Sequence, residues 1–134
     1  MSGKTEELAP TVEAMRPFVP AKDFAVSKRF YEDLGFRSES LGDGLAEMHL
    51  GSYSFLLQDY YVEQWAGNFM MHMLVTDLDR WWDHIQTLDL GARYGVSDVK
   101  PPKLESWGLN VCYVVDPSGV LWHIAELPRR GNSG

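Results

Sequence analysis

The chain contains one short pattern twice, and an internal repeat of this kind constrains a fold more strongly than local preferences do. In each copy a strand-length apolar segment is followed by an aspartate, an amphipathic run and a glycine. The aspartates are Asp23 and Asp77, and the glycines are Gly35 and Gly91. Three further apolar stretches of strand length follow each copy. The sequence therefore predicts a duplicated β-α-β-β-β unit, and a protein built from paired halves is expected to work at the surface between them.

The first half carries clear signals for a helix and for strands. Asp23 is expected to cap the helix, and Gly35 is expected to end it in a left-handed turn. Pro17 and Pro20 cannot donate to a sheet ladder, so the strand that contains them is expected at an edge. Glycine-rich turns of hairpin type separate the later strands. The strands expected in this half are residues 16–21, 36–41, 45–50 and 53–60.

The second half follows the same order after a joint at residues 62–69, where a short helix or a loop is expected. Asp77 is expected to cap its helix, and Gly91 is expected to end it. A double proline stiffens the segment 95–107, which predicts a loop that crosses over a cavity as a candidate lid. The strands expected in this half are residues 70–75, 109–115 and 120–127.

The length of 134 residues is that of one domain, and three parts are expected along the chain. Residues 1–15 are expected to form a polar N-terminal arm. Residues 16–127 are expected to form a single domain, with one unit at about 16–69 and the other at about 70–127. Residues 128–134 are expected to be a C-terminal tail.

Composition and charge exclude several classes of partner. The net charge is −7 and the basic residues are scattered, whereas nucleic-acid binding needs clustered Lys and Arg. No apolar run approaches the roughly 20 residues that cross a bilayer, and the first residues lack a secretion signal, so a cytoplasmic protein without a membrane partner is expected. The single cysteine, Cys112, lies in an apolar run and is expected to be a buried thiol. An acidic protein also concentrates cationic small molecules near its surface.

Two longer motifs carry a resemblance to a known family. Residues 30–36 read Phe-Tyr-Glu-Asp-Leu-Gly-Phe, and Trp107-Gly108 precedes a segment at 113–122 that reads Tyr-Val-Val-Asp-Pro-Ser-Gly-Val-Leu-Trp. With these motifs inside a duplicated unit, residues 16–127 resemble the vicinal oxygen chelate superfamily, which includes glyoxalase I, extradiol dioxygenases, fosfomycin-resistance enzymes and bleomycin-resistance proteins. The resemblance implies an α+β fold in which two tandem βαβββ units form a strongly curved mixed sheet around a cleft, usually completed as a dimer. Ligands are then expected in the cleft that the curved sheet surrounds.

The resemblance also implies where a metal would be held. Metal-dependent members place a His or Gln on the first strand of each half and a Glu on the last. Here the two first-strand positions fall on Arg16 and Met70, and the last position of the second half falls on His123. The last strand of the first half has no Glu, and Gln58 is its only side chain that coordinates well. A cation and a thioether do not suit a hard, oxygen-rich site, so no metal and no cofactor are expected.

The histidines leave a second possibility open. Alternation along the strand puts His72 on the cavity face, so His72 and His123 are both expected to face the cavity. Together with Gln58 they would form a metal site, and the protein would then be a lyase, isomerase or dioxygenase. A cavity histidine more often hydrogen-bonds a ligand or water, which favours a binding role. His49 and His84 are expected to be surface residues or residues with satisfied hydrogen bonds.

The favoured prediction is a metal-independent protein of the bleomycin-resistance type, a homodimer that sequesters a small planar or cationic molecule. No catalytic residue is predicted, because the sequence has no nucleophile elbow, no phosphate-binding loop and no paired carboxylates on the cavity face. A third possibility is a dimerisation module with a vestigial cleft. The residues expected to bind the ligand are Trp107, Phe18 and Tyr60 by stacking, and His72, His123 and Gln58 by polar contacts.

Overall fold

The computed structural model describes residues 7–128, so residues 1–6 of the expected arm and residues 129–134 of the expected tail lie outside the described residues. A 3-10 turn at Ala9–Thr11 precedes the first strand. The helices are α1 (Phe24–Leu34), α2 (Glu63–Asn68), α3 (Leu78–Leu88) and α4 (Leu90–Tyr94). The strands are β1 (Phe18–Pro20), β2 (Arg37–Gly42), β3 (Leu45–Leu50), β4 (Tyr53–Gln58), β5 (Met70–Leu74), β6 (Lys103–Leu104), β7 (Asn110–Val115) and β8 (Leu121–Glu126).

Each half of the chain forms its own four-stranded sheet. The first sheet has the order β1-β4-β3-β2, and the second has the corresponding order β5-β8-β7-β6. In both sheets the first strand of the half pairs in parallel with the last strand, and the other pairs are antiparallel. The predicted α+β fold of two tandem βαβββ units is confirmed.

The helix caps follow the sequence signals at three of the four predicted places. Asp23 Oδ1 accepts a hydrogen bond from the Val26 amide at 3.2 Å, and Asp77 Oδ1 accepts one from the Arg80 amide at 3.1 Å. Gly35 ends α1 with φ of 132°, a conformation that favours glycine. These contacts fix where each helix leaves its sheet.

The fourth prediction, that Gly91 ends the second helix, is wrong. Helix α3 ends at Leu88, and Asp89 adopts the left-handed conformation with φ of 52°. Gly91 lies inside the short helix α4 instead. A Cβ atom at this position would overlap Oδ1 of Asp98. The need for glycine at position 91 is therefore explained by the close approach of the 95–107 segment to α4. This need arises from the tertiary structure and not from the end of a helix.

The two sheets share one aromatic core. The rings of Phe55 on β4 and Trp122 on β8 lie 5.5 Å apart, and Tyr31 of α1 contacts both, at 4.9 Å and 5.6 Å. Trp122 donates its indole N–H to the Tyr31 hydroxyl at 2.8 Å, and that hydroxyl donates to Oδ2 of Asp116. This buried chain of hydrogen bonds joins the first helix to the turn before β8.

The shared core determines which face of each sheet is available for binding. Successive side chains on a strand point to opposite faces, so residues that alternate with Phe55 and Trp122 point away from the core. Gln58 on β4 and His123 on β8 lie on these outward faces. One protomer thus has two outward faces, one on each sheet. Among the described residues, none of the helices is both long enough and apolar enough to cross a membrane.

The expected burial of Cys112 is confirmed. It is 1 % exposed, and burial raises the pKa of its thiol to about 11. His84 is satisfied as expected, because its Nε2 atom lies 3.0 Å and 3.1 Å from the carbonyl oxygens of Asp33 and Leu34 at the end of α1. Neither side chain is placed for chemistry.

Candidate ligand-binding site

The outward face of the second sheet carries a cluster of four rings centred on His123, which we call the aromatic face: His72, Trp107, Tyr113 and His123. Strand register places His72 on β5 and Tyr113 on β7 directly opposite His123 on β8. The centroid of the His123 ring lies 4.9 Å from that of Tyr113, 6.0 Å from that of Trp107 and 6.3 Å from that of His72. The cluster therefore follows from the pairing of strands that are distant in sequence.

Trp107 reaches this face from the loop before β7. A tight turn holds the loop, because the Gly108 amide donates to the Glu105 carbonyl at 3.0 Å and the Glu105 amide donates to the Leu109 carbonyl at 2.8 Å. The Trp107 ring is inclined by 32° to the His123 ring and is 51 % exposed. A flat ring of a ligand can thus stack on Trp107 at low cost in reorganisation.

Tyr113 and Glu105 belong to the site, although the sequence did not predict them. The Tyr113 hydroxyl donates a hydrogen bond to the Glu105 carboxylate, and this bond raises the pKa of Tyr113 to about 12. The hydrogen bond fixes the Tyr113 ring edge-on against His123. Tyr113 is recognisable only through the β7–β8 register, since its strand pattern alone does not distinguish it from a core residue.

The aromatic face is electrically neutral at its centre. Partial burial lowers the pKa of His123, the neighbouring His72 lowers it further, and Glu105 acts in the opposite direction. Because the shift is downward, His123 is a neutral imidazole at neutral pH. A neutral imidazole offers one donor and one acceptor, which suits the orientation of a polar group on a bound molecule.

A small cavity of about 170 Å³ adjoins the aromatic face beneath the 95–107 segment. Val111, Tyr113 and Val115 form its apolar floor, and Pro101 and Lys103 lie on the segment above. The Tyr113 side chain is shared between this cavity and the aromatic face. The segment also contains β6, which pairs with β7, so it is attached to the sheet edge while it covers the cavity.

The other predicted binding residues lie on or near the first sheet. Phe18 is 51 % exposed on β1, and Gln58 on the neighbouring β4 lines an open depression with Asp43 and Asp59. Tyr60 follows β4 and is 48 % exposed, with its ring 6.0 Å from that of Trp65. The structure thus brings Trp107, His72 and His123 together, and it places Phe18 and Gln58 together on the other sheet.

The resemblance implies metal ligands at certain positions, and in this structure the residues at those positions make other contacts or are exposed. Arg16 Nε lies 2.6 Å from Oε2 of Glu47 and donates to the Ser54 hydroxyl at 2.8 Å, and Met70 is 62 % exposed. The alternative set of His72, His123 and Gln58 is divided between the outward faces of two different sheets. Within residues 7–128, one protomer therefore does not assemble that set as a metal site.

A family model described as the glyoxalase/bleomycin resistance protein/dioxygenase superfamily matches residues 12–124. The chain belongs to this superfamily. Membership confirms the resemblance that the repeat and the two motifs predict. It leaves the reaction or ligand open, because one fold of this kind supports several functions.

Solved structures with a similar fold include a binding protein, a resistance determinant and a lyase. A bleomycin-binding protein complexed with bleomycin has 22 % identity and a TM-score of 0.74, with 87 % of this chain and 100 % of that chain covered. A bleomycin resistance determinant encoded on the transposon Tn5 has 21 % identity and a TM-score of 0.71, with 88 % and 100 % covered. A lactoylglutathione lyase from Agrobacterium tumefaciens has 18 % identity and a TM-score of 0.62, with 86 % and 94 % covered. No curated protein matches the chain in sequence.

Proposed function

We propose that this superfamily member binds a small planar or cationic molecule and sequesters it, without a resident metal and without chemical conversion. The observation that carries the proposal is the aromatic face, on which an exposed Trp107 and a neutral His123 lie side by side. An exposed indole attracts flat rings and cations, and the net charge of −7 favours a cationic guest. The fold neighbours named for bleomycin support this type of function and a role in antibiotic resistance.

A second copy of the chain would complete the site. Phe18 and Gln58 lie on the outward face of the first sheet, and Trp107 and His123 lie on that of the second. In one protomer these faces point away from the common core, so a single chain offers only one wall to a guest. A homodimer that sets the first sheet of one protomer against the second sheet of its partner would bring both predicted groups to one cleft. Exposed Phe18, Met70 and Leu74 would be covered in the same step.

The same proposal places the protein in the cytoplasm. Cys112 is the single cysteine, and its buried thiol has no intrachain partner, so the fold needs no oxidising compartment.

Isothermal titration of chelator-treated protein with metal-free bleomycin, and with a planar cationic dye, tests the proposal. Trp107→Ala is expected to weaken binding of the responding compound about tenfold, because lost stacking contributes about 0.5–1.5 kcal/mol beyond the buried area. Tyr53→Ala is the matched control, since Tyr53 is an 80 % exposed aromatic at the start of β4.

Three results would contradict the proposal. The first is equal binding by wild type and Trp107→Ala, and the second is no response to either compound. The third is a response only after a divalent metal is restored, which would favour the metal-dependent enzyme. Sedimentation analysis of the same samples tests the homodimer, with a monomer at all concentrations contradicting it.

A further inference from the structure

A carboxylate borders the aromatic face. Glu105 precedes Trp107 on the tight turn before β7, and its Oε2 atom accepts the hydrogen bond from the Tyr113 hydroxyl. The Glu105 carboxylate also opposes the lowering of the pKa of His123, so its charge acts at the centre of the aromatic face. A negative charge therefore lies beside the rings on which a flat molecule can stack.

Glu105 is held in place before any guest arrives. Its amide donates to the Leu109 carbonyl at 2.8 Å, and its carbonyl accepts a hydrogen bond from the Gly108 amide at 3.0 Å. Its side chain is fixed by the hydrogen bond from Tyr113. A carboxylate that is already fixed at both its backbone and its side chain loses little conformational freedom when a partner binds.

The charge of Glu105 has only a weak positive partner in the described part of the chain. Its side chain is 17 % exposed, and the phenol of Tyr113 that donates to it is neutral. Lys103 Nζ lies 3.9 Å from Oε2 of Glu105, but the lysine side chain is 70 % exposed. An ion pair so long and so exposed contributes little. The carboxylate is therefore available to a better placed cation.

The second oxygen of Glu105 is accessible. Within residues 7–128, the hydrogen bond from Tyr113 and the ion pair with Lys103 both involve Oε2, and Oε1 has no partner. No buried side-chain polar atom in this range lacks a partner, so Oε1 is in contact with solvent. Lys103 lines the cavity beside Tyr113, and its long side chain can turn into solvent when a guest cation takes its place.

We propose that Glu105, together with the rings of Trp107 and Tyr113, selects planar organic cations over uncharged planar molecules, an inference that rests on the proposed sequestering function. The rings stack on the flat body of the guest and attract its positive charge. The carboxylate then pairs with that charge in place of Lys103. The net charge of −7 attracts every cation alike, whereas this arrangement requires a cation that is also flat.

Isothermal titration with N-methylacridinium chloride and with acridine tests the selection, because acridine has the same three rings and is uncharged at neutral pH. Wild type is expected to bind the cation at least about fivefold more tightly, the effect of one unit charge about 4 Å away in water. Glu105→Gln is expected to lose this preference and to bind acridine as wild type does. The glutamine oxygen still accepts from Tyr113, so the fold is expected to persist, and circular dichroism verifies this.

Two further variants separate the local charge from other effects. Glu63→Gln removes an exposed carboxylate on α2 with the same change in net charge, and it is expected to keep the wild-type preference. Lys103→Met removes the competing ammonium, and it is expected to raise the affinity for the cation roughly two- to fivefold, since the lost ion pair is weak. A lower affinity in Lys103→Met would contradict the competition.

The inference is overturned if Glu105→Gln keeps the preference for the cation, if it weakens binding of both probes equally, or if Glu63→Gln loses the same preference. Equal binding of the two probes by wild type would overturn the selection and leave the sequestering function intact. Binding of neither probe would also overturn it, and the titration with bleomycin then decides whether the sequestering function stands.

Discussion

The two sheets have similar inner faces and different outward faces. On the inner side, Phe55 of the first sheet and Trp122 of the second meet in one aromatic core. On the outer side, the first sheet pairs Arg16 with Glu47, whereas the second sheet surrounds His123 with the rings of His72, Trp107 and Tyr113. The duplicated unit therefore uses one side of each sheet for packing, and the other side is free to differ in chemistry. We expect a planar or cationic guest to stack on the second sheet.

The largest expected effect separates the inner and outer sides of the second sheet. Trp122→Ala is expected to lower the free energy of unfolding by about 3–5 kcal/mol, because it leaves a cavity in a core where Trp122 is 2 % exposed. Trp107→Ala is expected to change it by less than about 1 kcal/mol, since half of that side chain is in solvent. Urea unfolding followed by circular dichroism measures both. Similar losses for the two variants would place Trp107 in the core and contradict the division between faces.

A smaller effect is expected from the hydrogen bond that links the halves. Tyr31→Phe removes the hydroxyl that donates to the buried Asp116 carboxylate. The expected loss in unfolding free energy is about 1.5–3 kcal/mol at neutral pH, the usual range for a hydrogen bond to a charged group. Urea unfolding at neutral and acidic pH measures it, with Tyr53→Phe as an exposed control.

The pH dependence of this loss has a definite sign. Burial raises the pKa of Asp116 in the folded state, while the hydrogen bonds from Tyr31 and from the backbone amides oppose the rise. A raised carboxyl pKa favours the folded state at low pH, and that contribution is lost as pH rises through the folded pKa. Without the Tyr31 hydroxyl the pKa of Asp116 rises further. The loss of unfolding free energy caused by Tyr31→Phe is therefore greatest when Asp116 is ionised, and it becomes smaller on acidification. An equal penalty at both pH values would show that the carboxylate bond is not its cause.

The smallest expected effect concerns the neutrality of the aromatic face. Because burial and His72 lower the pKa of His123, its ring gains a proton only below the usual range for histidine. A charge about 6 Å from a cationic guest costs about 0.7 kcal/mol in water, so affinity is expected to fall roughly threefold when His123 becomes protonated. Titration of the cationic dye across the acidic range measures this. His123→Gln is expected to reduce the fall, and a fall of the same size in this variant would assign the pH effect to another group.

Most of the fold could be predicted from local signals. Asp23 and Asp77 cap their helices as expected, and the turn after Asp116 joins β7 to β8. These features depend on residues a few positions apart, so the sequence displays them directly. Gly91 shows the limit of such reasoning, since its glycine is needed for contact with Asp98 and not for a helix end.

The candidate site could be predicted only in part. Alternation along β5 and β8 correctly places His72 and His123 on one face, and the register pairs them. Tyr113 and Glu105 were missed, because their contacts depend on which strand lies beside β8. The ligand-binding roles of Trp107, Phe18, Tyr60, His72, His123 and Gln58 stay predictions.

The sequence by itself determined the repeat, the caps and the side of the strand on which each residue lies, because a period of two residues is a local property of an extended chain. Tertiary structure decided which of those sides meet. The packing of Phe55 against Trp122 turns the predicted binding residues of the two halves away from each other in one protomer, and the β2–β3 register brings Glu39 and His49 within 3.0 Å. Such pairings join residues far apart in the chain, and they form because the common core must exclude water.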